Sequence, residues 1–247
     1  MTQTLAGQTV LITGGARRLG AATAHALHAA GANVVIHHLT STQEAGTLIE
    51  ALNQSRANSA TAVQADLLDV ARLPGLIAAA VSRFGRLDIL VNNASTFYPT
   101  PIGAISGGQF DDLIGTNLRA PLFLAQAAAP ELRRRRGLIL NMVDIHGMKP
   151  LKDYPVYSSA KAALIMLTKA LARELAPDVR VNGIAPGPVM WPADLDAAMQ
   201  AQIIDKTLLK RAGEPQDIGK AALYFATMAP YVTGQILAVD GGRSQCG

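Results

Sequence analysis

VLITGGARRLG, Val10 to Gly20, changes character halfway along. Val10 to Thr13 is a short apolar, β-branched run of the kind that forms a strand. Gly14 and Gly15 then permit a tight turn, and Gly20 lets a following helix pack closely on the sheet. That helix would start facing the loop, where its unpaired N–H groups attract phosphate. A glycine-rich turn alone is a weak signal, so the fold rests on whether strand and helix alternate beyond it.

The alternation holds along the chain. Strands are predicted at Thr9–Thr13, Asn33–His37, Thr61–Ala65, Ile89–Asn92, Leu138–Val143, Arg180–Ile184 and Ile236–Val239. Helical stretches separate most of them. From Tyr157 to Leu175, for example, Leu164, Leu167, Leu171 and Leu175 recur at spacings of three and four. Such alternation implies parallel strands, right-handed crossovers and helices on both faces. The predicted fold is therefore α/β: a Rossmann-type, doubly wound sheet of seven parallel strands in a single domain over residues 1–247. Ligands of such sheets bind beyond the carboxyl ends of the strands. The irregular stretch PGPVMWPAD and the weakly helical residues after it predict a substrate lid around residues 187–212.

Composition suits one large core: of 247 residues, 49% are hydrophobic and 16% charged. A net charge of +4 is too modest to imply nucleic acid by itself. The densest basic run, Arg133 to Arg136, closes a predicted helix before Gly137, where cations suit the helix dipole. Cys246 is the only cysteine, which excludes an intrachain disulfide. The N-terminus lacks the pattern of a signal peptide, and no apolar run approaches the ~20 residues that cross a bilayer. The expectation is a soluble cytoplasmic protein that binds small molecules, without metal, membrane or nucleic acid.

Charge in the glycine turn bears on the choice of nucleotide. An NAD site carries an acid about 20 residues on, at the end of the second strand. Here that strand ends IHHLTS, Ile36 to Ser41, without an acid. Two cations, Arg17 and Arg18, and an acid-free rim predict a 2′-phosphate, hence NADPH over NADH. Further along, ILNMVDIHG (Ile139–Gly147) ends a strand on Asp144, and YSSAK places Tyr157 and Lys161 on one face of a helix. A nearby ammonium stabilises tyrosinate, so Lys161 is expected to lower the Tyr157 pKa toward the working range. Taken alone, Asp144 also reads as the cap of a turn, and Tyr157 and Lys161 as a surface pair.

Together these motifs resemble the short-chain dehydrogenase/reductase family. TGGARRLG (Thr13–Gly20) resembles its cofactor turn and NNAS (Asn92–Ser95) its strand-four motif. Asn117 in GTNLRAP resembles its helix asparagine, and YSSAK its Tyr-x-x-x-Lys pair. VNGIAPGPV (Val181–Val189) and VTGQILAVDGG (Val232–Gly242) resemble its later landmarks, in the same order. Three departures narrow the resemblance. Asp144 stands where the family has a catalytic serine. Arg18 occupies the middle glycine of the turn. The strand-four segment continues as NNASTFYPTP, Asn92 to Pro101. These features resemble the pteridine reductase branch, which reduces pterins and dihydrofolate. Thr40 stands where part of that branch has Arg, leaving Arg17, His37 and Ser41 to hold more of the 2′-phosphate.

The resemblance implies roles residue by residue. Cofactor contacts fall to Gly14, Arg17, Arg18, Leu19, Gly20, His37, Thr40, Ser41, Asp66, Leu67, Asn93, Ala94, Ser95, Tyr157, Lys161, Pro186, Gly187 and Val189. Within that set, Asp66 would meet adenine and Lys161 the nicotinamide ribose. The catalytic set is Asp144, Tyr157, Lys161 and Asn117. Substrate contacts fall to Arg18, Ser95, Phe97, Asp144, Tyr157 and Trp191, with Phe97 a plate for a flat heteroaromatic ring and Tyr98 near the pocket mouth.

Electrostatics favour such a ring. An ionised Asp144 cannot donate to a developing oxyanion as serine does, and it repels an alkoxide. A pterin C=N bond needs a proton on nitrogen instead. The expected function is NADPH-dependent reduction of a dihydropterin, such as dihydrobiopterin or dihydromonapterin, or of dihydrofolate. Two alternatives stay open: a carbonyl or 3-ketoacyl reductase that tolerates Asp144, and a non-catalytic NADPH-binding sensor. The resemblance also implies a homotetramer.

Overall fold

In the computed structural model, which describes residues 4–191 and 195–246, the Val10 segment lies in β1 (Thr9–Ile12). Six more strands follow: β2 (Asn33–His38), β3 (Ala60–Gln64), β4 (Ile89–Asn92), β5 (Leu138–Met142), β6 (Arg180–Pro186) and β7 (Ile236–Val239). All pair in parallel in the order β3-β2-β1-β4-β5-β6-β7. The order reverses between β1 and β4, so a crevice opens at their carboxyl ends. Every predicted strand is present. β6 runs on past its predicted end because its pairing with β7 continues to Pro186 opposite Val239.

The strands are apolar on both faces because both faces are covered. In β1, Val10 and Ile12 enter one core and Leu11 the other, and all three are fully buried. The first core lies under α1 (Arg18–Ala29), α2 (Thr42–Ser55) and α8 (Pro215–Thr227); the second lies under α3 (Leu73–Phe84), α5 (Ala120–Arg135) and the end of α6 (Pro155–Leu175). Small residues let α1 and α8 approach closely. A Cβ added at Gly219 would stand 2.9 Å from the Ala22 carbonyl oxygen.

Local chemistry sets the helix ends. α4 (Gly107–Ile114) opens on a capping box, in which the Ser106 hydroxyl accepts from Gln109 N–H and the Gln109 side chain accepts from Ser106 N–H. α6 begins with Pro155, whose missing N–H has no intrahelical partner to lose. α5 ends inside the predicted basic run: Arg136 adopts the left-handed conformation, and Glu131 pairs with both Arg134 and Arg135. Between α4 and α5, Gly115–Arg119 forms a π-helical turn that carries Asn117 fully buried.

The predicted lid contains α7 (Ala197–Asp205); its residues 192–194 lie outside the described residues. Among the described residues, no helix is long and apolar enough to cross a membrane.

Candidate active site

The ends of β1 and β4 are tied side by side. Thr13 Oγ1 accepts from the N–H groups of Asn93 (3.0 Å) and Ala94 (3.1 Å). Asn93 Nδ2 donates to the carbonyls of Thr13 and Gly14, both at 2.9 Å. The turn between them needs glycine. Gly14 has φ 57, and a Cβ there would stand 2.9 Å from Ala94 Cα; at Gly20 it would stand 2.5 Å from the Gly14 oxygen. Arg18 also takes a left-handed φ of 53, a conformation unusual for a side-chain-bearing residue.

Beside this turn runs a cleft of about 410 Å³. It is lined by Gly14 and Ala16 to Gly20 of the turn, the end of β2 through Ser41, Asp66 and Leu67, and the stretch from Asn93 to Ser95. No side chain caps the N-terminus of α1, so its first N–H groups remain for an anion. The residues therefore fit a dinucleotide laid along the strand ends. Five predicted contacts are not among its lining residues: Tyr157 and Lys161, which form the site described below, and three around the end of β6. Val189 lines a second cleft of about 540 Å³ with Asp240, Pro186 ends β6, and Gly187 packs against Asp240. None of the three lines the first cleft.

At the far end of the cleft His37 is among the lining residues, but its ring is engaged within the protein. His37 does not offer a ring nitrogen to a phosphate: Nδ1 accepts from Gly14 N–H (3.2 Å) and Nε2–H donates to the Ala65 carbonyl (3.0 Å). Burial lowers its pKa, so a neutral imidazole braces the glycine turn. The rim from Ile36 to Ser41 carries no acid, but one stands just beyond it. Glu44, in the first turn of α2, reaches Arg17 at 3.2 Å and pairs with one of the two cations assigned to the 2′-phosphate. Thr40 and Ser41 do line the cleft, as does His38, which the sequence had not singled out.

At the other end, β5 delivers Asp144 and α6 delivers Tyr157 and Lys161. The Tyr157 hydroxyl donates to Asp144 Oδ2 at 2.7 Å, while Asp144 Oδ1 accepts from His146 N–H at 2.8 Å. The carboxylate thus caps its turn and engages the phenol at once. Lys161 is buried and donates to the Met142 carbonyl at 2.9 Å; its Nζ lies 5.6 Å from the centre of the Tyr157 ring. Burial lowers the Lys161 pKa to about 8, against an opposing pull from Asp144. The predicted lowering of the Tyr157 pKa is reversed. Burial first, then the charge and hydrogen bond of Asp144, push it well above the usual phenol value.

Asn117 supports this site through its side chain. Nδ2 donates to the carbonyls of Thr96 and Leu113, both at 3.0 Å. That fixes the amide's orientation, so Oδ1 accepts and the Ser95 hydroxyl donates to it at 2.6 Å. Phe97 stacks on Tyr154 (4.6 Å, 15°) and meets Tyr157 edge-on (4.8 Å, 77°), which puts an exposed ring beside the phenol. Tyr98 is a pin within the loop: its hydroxyl donates to Asp112 at 2.8 Å, and burial and that carboxylate raise its pKa to about 12. Trp191 is half-buried and lines neither cleft. Sequence order gave no signal for Tyr154 or Glu44, since each meets its partner only after distant elements pack. Among the described residues no cluster could hold a metal ion.

A glycine turn at the switch point of a parallel sheet, with a buried Tyr–Lys pair at its far end, defines a nicotinamide-dependent oxidoreductase. The chain belongs to the short-chain dehydrogenase/reductase family: a family model described as enoyl-(acyl carrier protein) reductase matches residues 14–244. Pteridine reductase 1 of Leishmania tarentolae is 38% identical, with 99% of each chain covered. A 3-oxoacyl-[acyl-carrier-protein] reductase of Staphylococcus aureus is 33% identical over 95% of this chain and 97% of its own. An uncharacterized oxidoreductase of Methylorubrum extorquens is 34% identical over 96% and 98%.

Proposed function

We propose that the protein is an NADPH-dependent reductase of pterins or dihydrofolate. The observation that carries this reading is the 2.7 Å hydrogen bond from Tyr157 to Asp144, a carboxylate beside the proton donor. The bound dinucleotide supplies hydride. The chain's own residues position the ring and move the proton. Phe97, exposed beside Tyr157, offers a face to a flat heterocycle. Ser95 gives its hydrogen to Asn117 in this structure, and its oxygen can accept from a ring N–H. Asp144 accepts only, and its charge repels an alkoxide. Tyr157 gives its proton to the ring nitrogen. A nitrogen newly rich in electrons is a strong base, so a phenol of raised pKa still protonates it. The tyrosinate left behind is disfavoured by burial and by Asp144, which drives prompt reprotonation. The resemblance of the chain to a pteridine reductase supports the same reading.

Resemblance to a 3-oxoacyl reductase supports a second reading, reduction of a keto group. The test is oxidation of NADPH and of NADH with dihydrobiopterin, dihydromonapterin, dihydrofolate and simple keto substrates. Turnover of pterin or folate with NADPH is expected. Ketone turnover without pterin turnover overturns the proposal, and Asp144→Ser should then raise the ketone rate. We also propose self-association into a homotetramer. β7 is an open sheet edge carrying half-exposed Leu237, and Tyr224, Met228 and Tyr231 beside it are exposed.

A further inference from the structure

We propose that Lys149 is a positioning residue. It ties the turn that presents Asp144 to a C-terminal strap, Asp240–Cys246, which also holds the foot of the segment carrying α7. The inference rests on the reading of Asp144 and Tyr157 as the pair that delivers the proton.

The turn Ile145–Gly147 is capped by Asp144. On one side it lies against α6: a Cβ added at Gly147 would stand 2.8 Å from the Lys161 carbonyl carbon. Lys149 closes the turn. Its N–H donates to the Ile145 carbonyl at 2.9 Å, and its own carbonyl accepts from His146 Nδ1 at 3.3 Å. The same His146 gives its main-chain N–H to Asp144 Oδ1 at 2.8 Å. The Lys149 ammonium leaves this turn and donates to the main-chain carbonyl of Cys246, 97 residues on. One side chain therefore links the Asp144 turn to the end of the chain.

The strap is itself fixed. Asp240 is buried and accepts from Gly242 N–H at 2.9 Å and from Ser244 N–H at 2.8 Å, which winds Arg243–Gln245 into a short helical turn. Gly241 and Gly242 have φ of 61 and 79 and pack on the residues after α7. The Gly241 carbonyl accepts from Leu209 N–H at 3.0 Å, and a Cβ there would stand 2.7 Å from Thr207 Cγ2. Thr207 in turn donates to the Ile203 carbonyl, within α7, at 2.9 Å. The strap thus touches the predicted lid on one side and the Asp144 turn on the other. Polar contacts that join two elements through one rigid turn carry coupling between them. Displacing the foot of α7 then shifts the turn that sets Asp144 against Tyr157.

The experiment is amide hydrogen exchange on the full chain, without substrate, read at three N–H groups. They are His146, which meets Asp144; Ser244, inside the strap; and Leu209, beyond it. Lys149→Met keeps the aliphatic stem and removes the donor. It should speed exchange at all three about fivefold, the scale of one hydrogen bond, and lower turnover about tenfold. Lys149→Arg, which restores a donor, should keep both near wild type. Asp240→Asn loses one of the two carboxylate acceptors and should speed the same three amides. The double variant should go little further, because both changes break one connection. Exchange that rises at His146 alone, no change at any of the three, or failure of Lys149→Arg to restore turnover overturns the proposal. Absence of pterin turnover alongside the expected exchange pattern would sink only the substrate assignment.

Discussion

Asp144 is the residue on which the chemistry turns, because it raises the pKa of both groups it faces. Its charge and hydrogen bond hold up Tyr157, and its charge props Lys161 against burial. Asp144→Asn should therefore lower both pKa values. Phenolate absorbance against pH should show Tyr157 ionising earlier, and any alkaline loss of activity set by Lys161 should move to lower pH. Lys161 itself makes a stability prediction. Its folded pKa of about 8 lies below the ordinary 10.5, so the unfolded chain holds the extra proton between those values. The cost of charging it is fully present below about pH 8 and is relieved as pH rises toward 10.5. Lys161→Met should remove that cost. Urea unfolding should show a variant at least as stable as wild type at pH 7, without this group's rise in stability from pH 8 to 10.5. Its turnover should nonetheless fall by about 100-fold or more. At the rim, Glu44→Gln should free Arg17 and tighten NADPH a few-fold in a salt-dependent way, measured by titration at two ionic strengths.

At the scale of elements, the site depends on how closely helices approach the sheet and one another. α1 carries the glycine turn at its start and packs on α8 through Gly219. Gly219→Ala would press a methyl group against the Ala22 carbonyl and the Ala26 Cβ, at 2.9 and 3.0 Å. Backbone cannot yield as a side chain does, so the change should cost about 1–3 kcal/mol by urea unfolding. The element boundaries were largely legible in the sequence. Seven apolar runs, the Tyr157–Leu175 leucine spacing and the Arg133–Arg136 terminus all depend on residues near one another in the chain. The capping and pairing of Asp144 were not, because its two partners come from a turn and from a helix that packs back over it.

For the whole molecule, the open edge at β7 sets the expectation of assembly. Leu237→Lys combined with Met228→Glu should shift the sedimentation velocity profile toward smaller species while leaving the far-ultraviolet dichroism unchanged. An unchanged profile in both wild type and variant at the size of one chain would remove the assembly proposal.

The sequence by itself determined the parallel sheet, the glycine turn and the placing of Tyr157 and Lys161 on one face of a helix. Those follow from short-range patterns of apolar residues, glycine and helical spacing. Only the tertiary structure decided that His37 spends both ring nitrogens within the protein, that Glu44 reaches Arg17 across 27 residues, and that the Tyr157 pKa rises. The physical reason is common to all three: desolvation and charge act through space, and their strength depends on which elements close over a group.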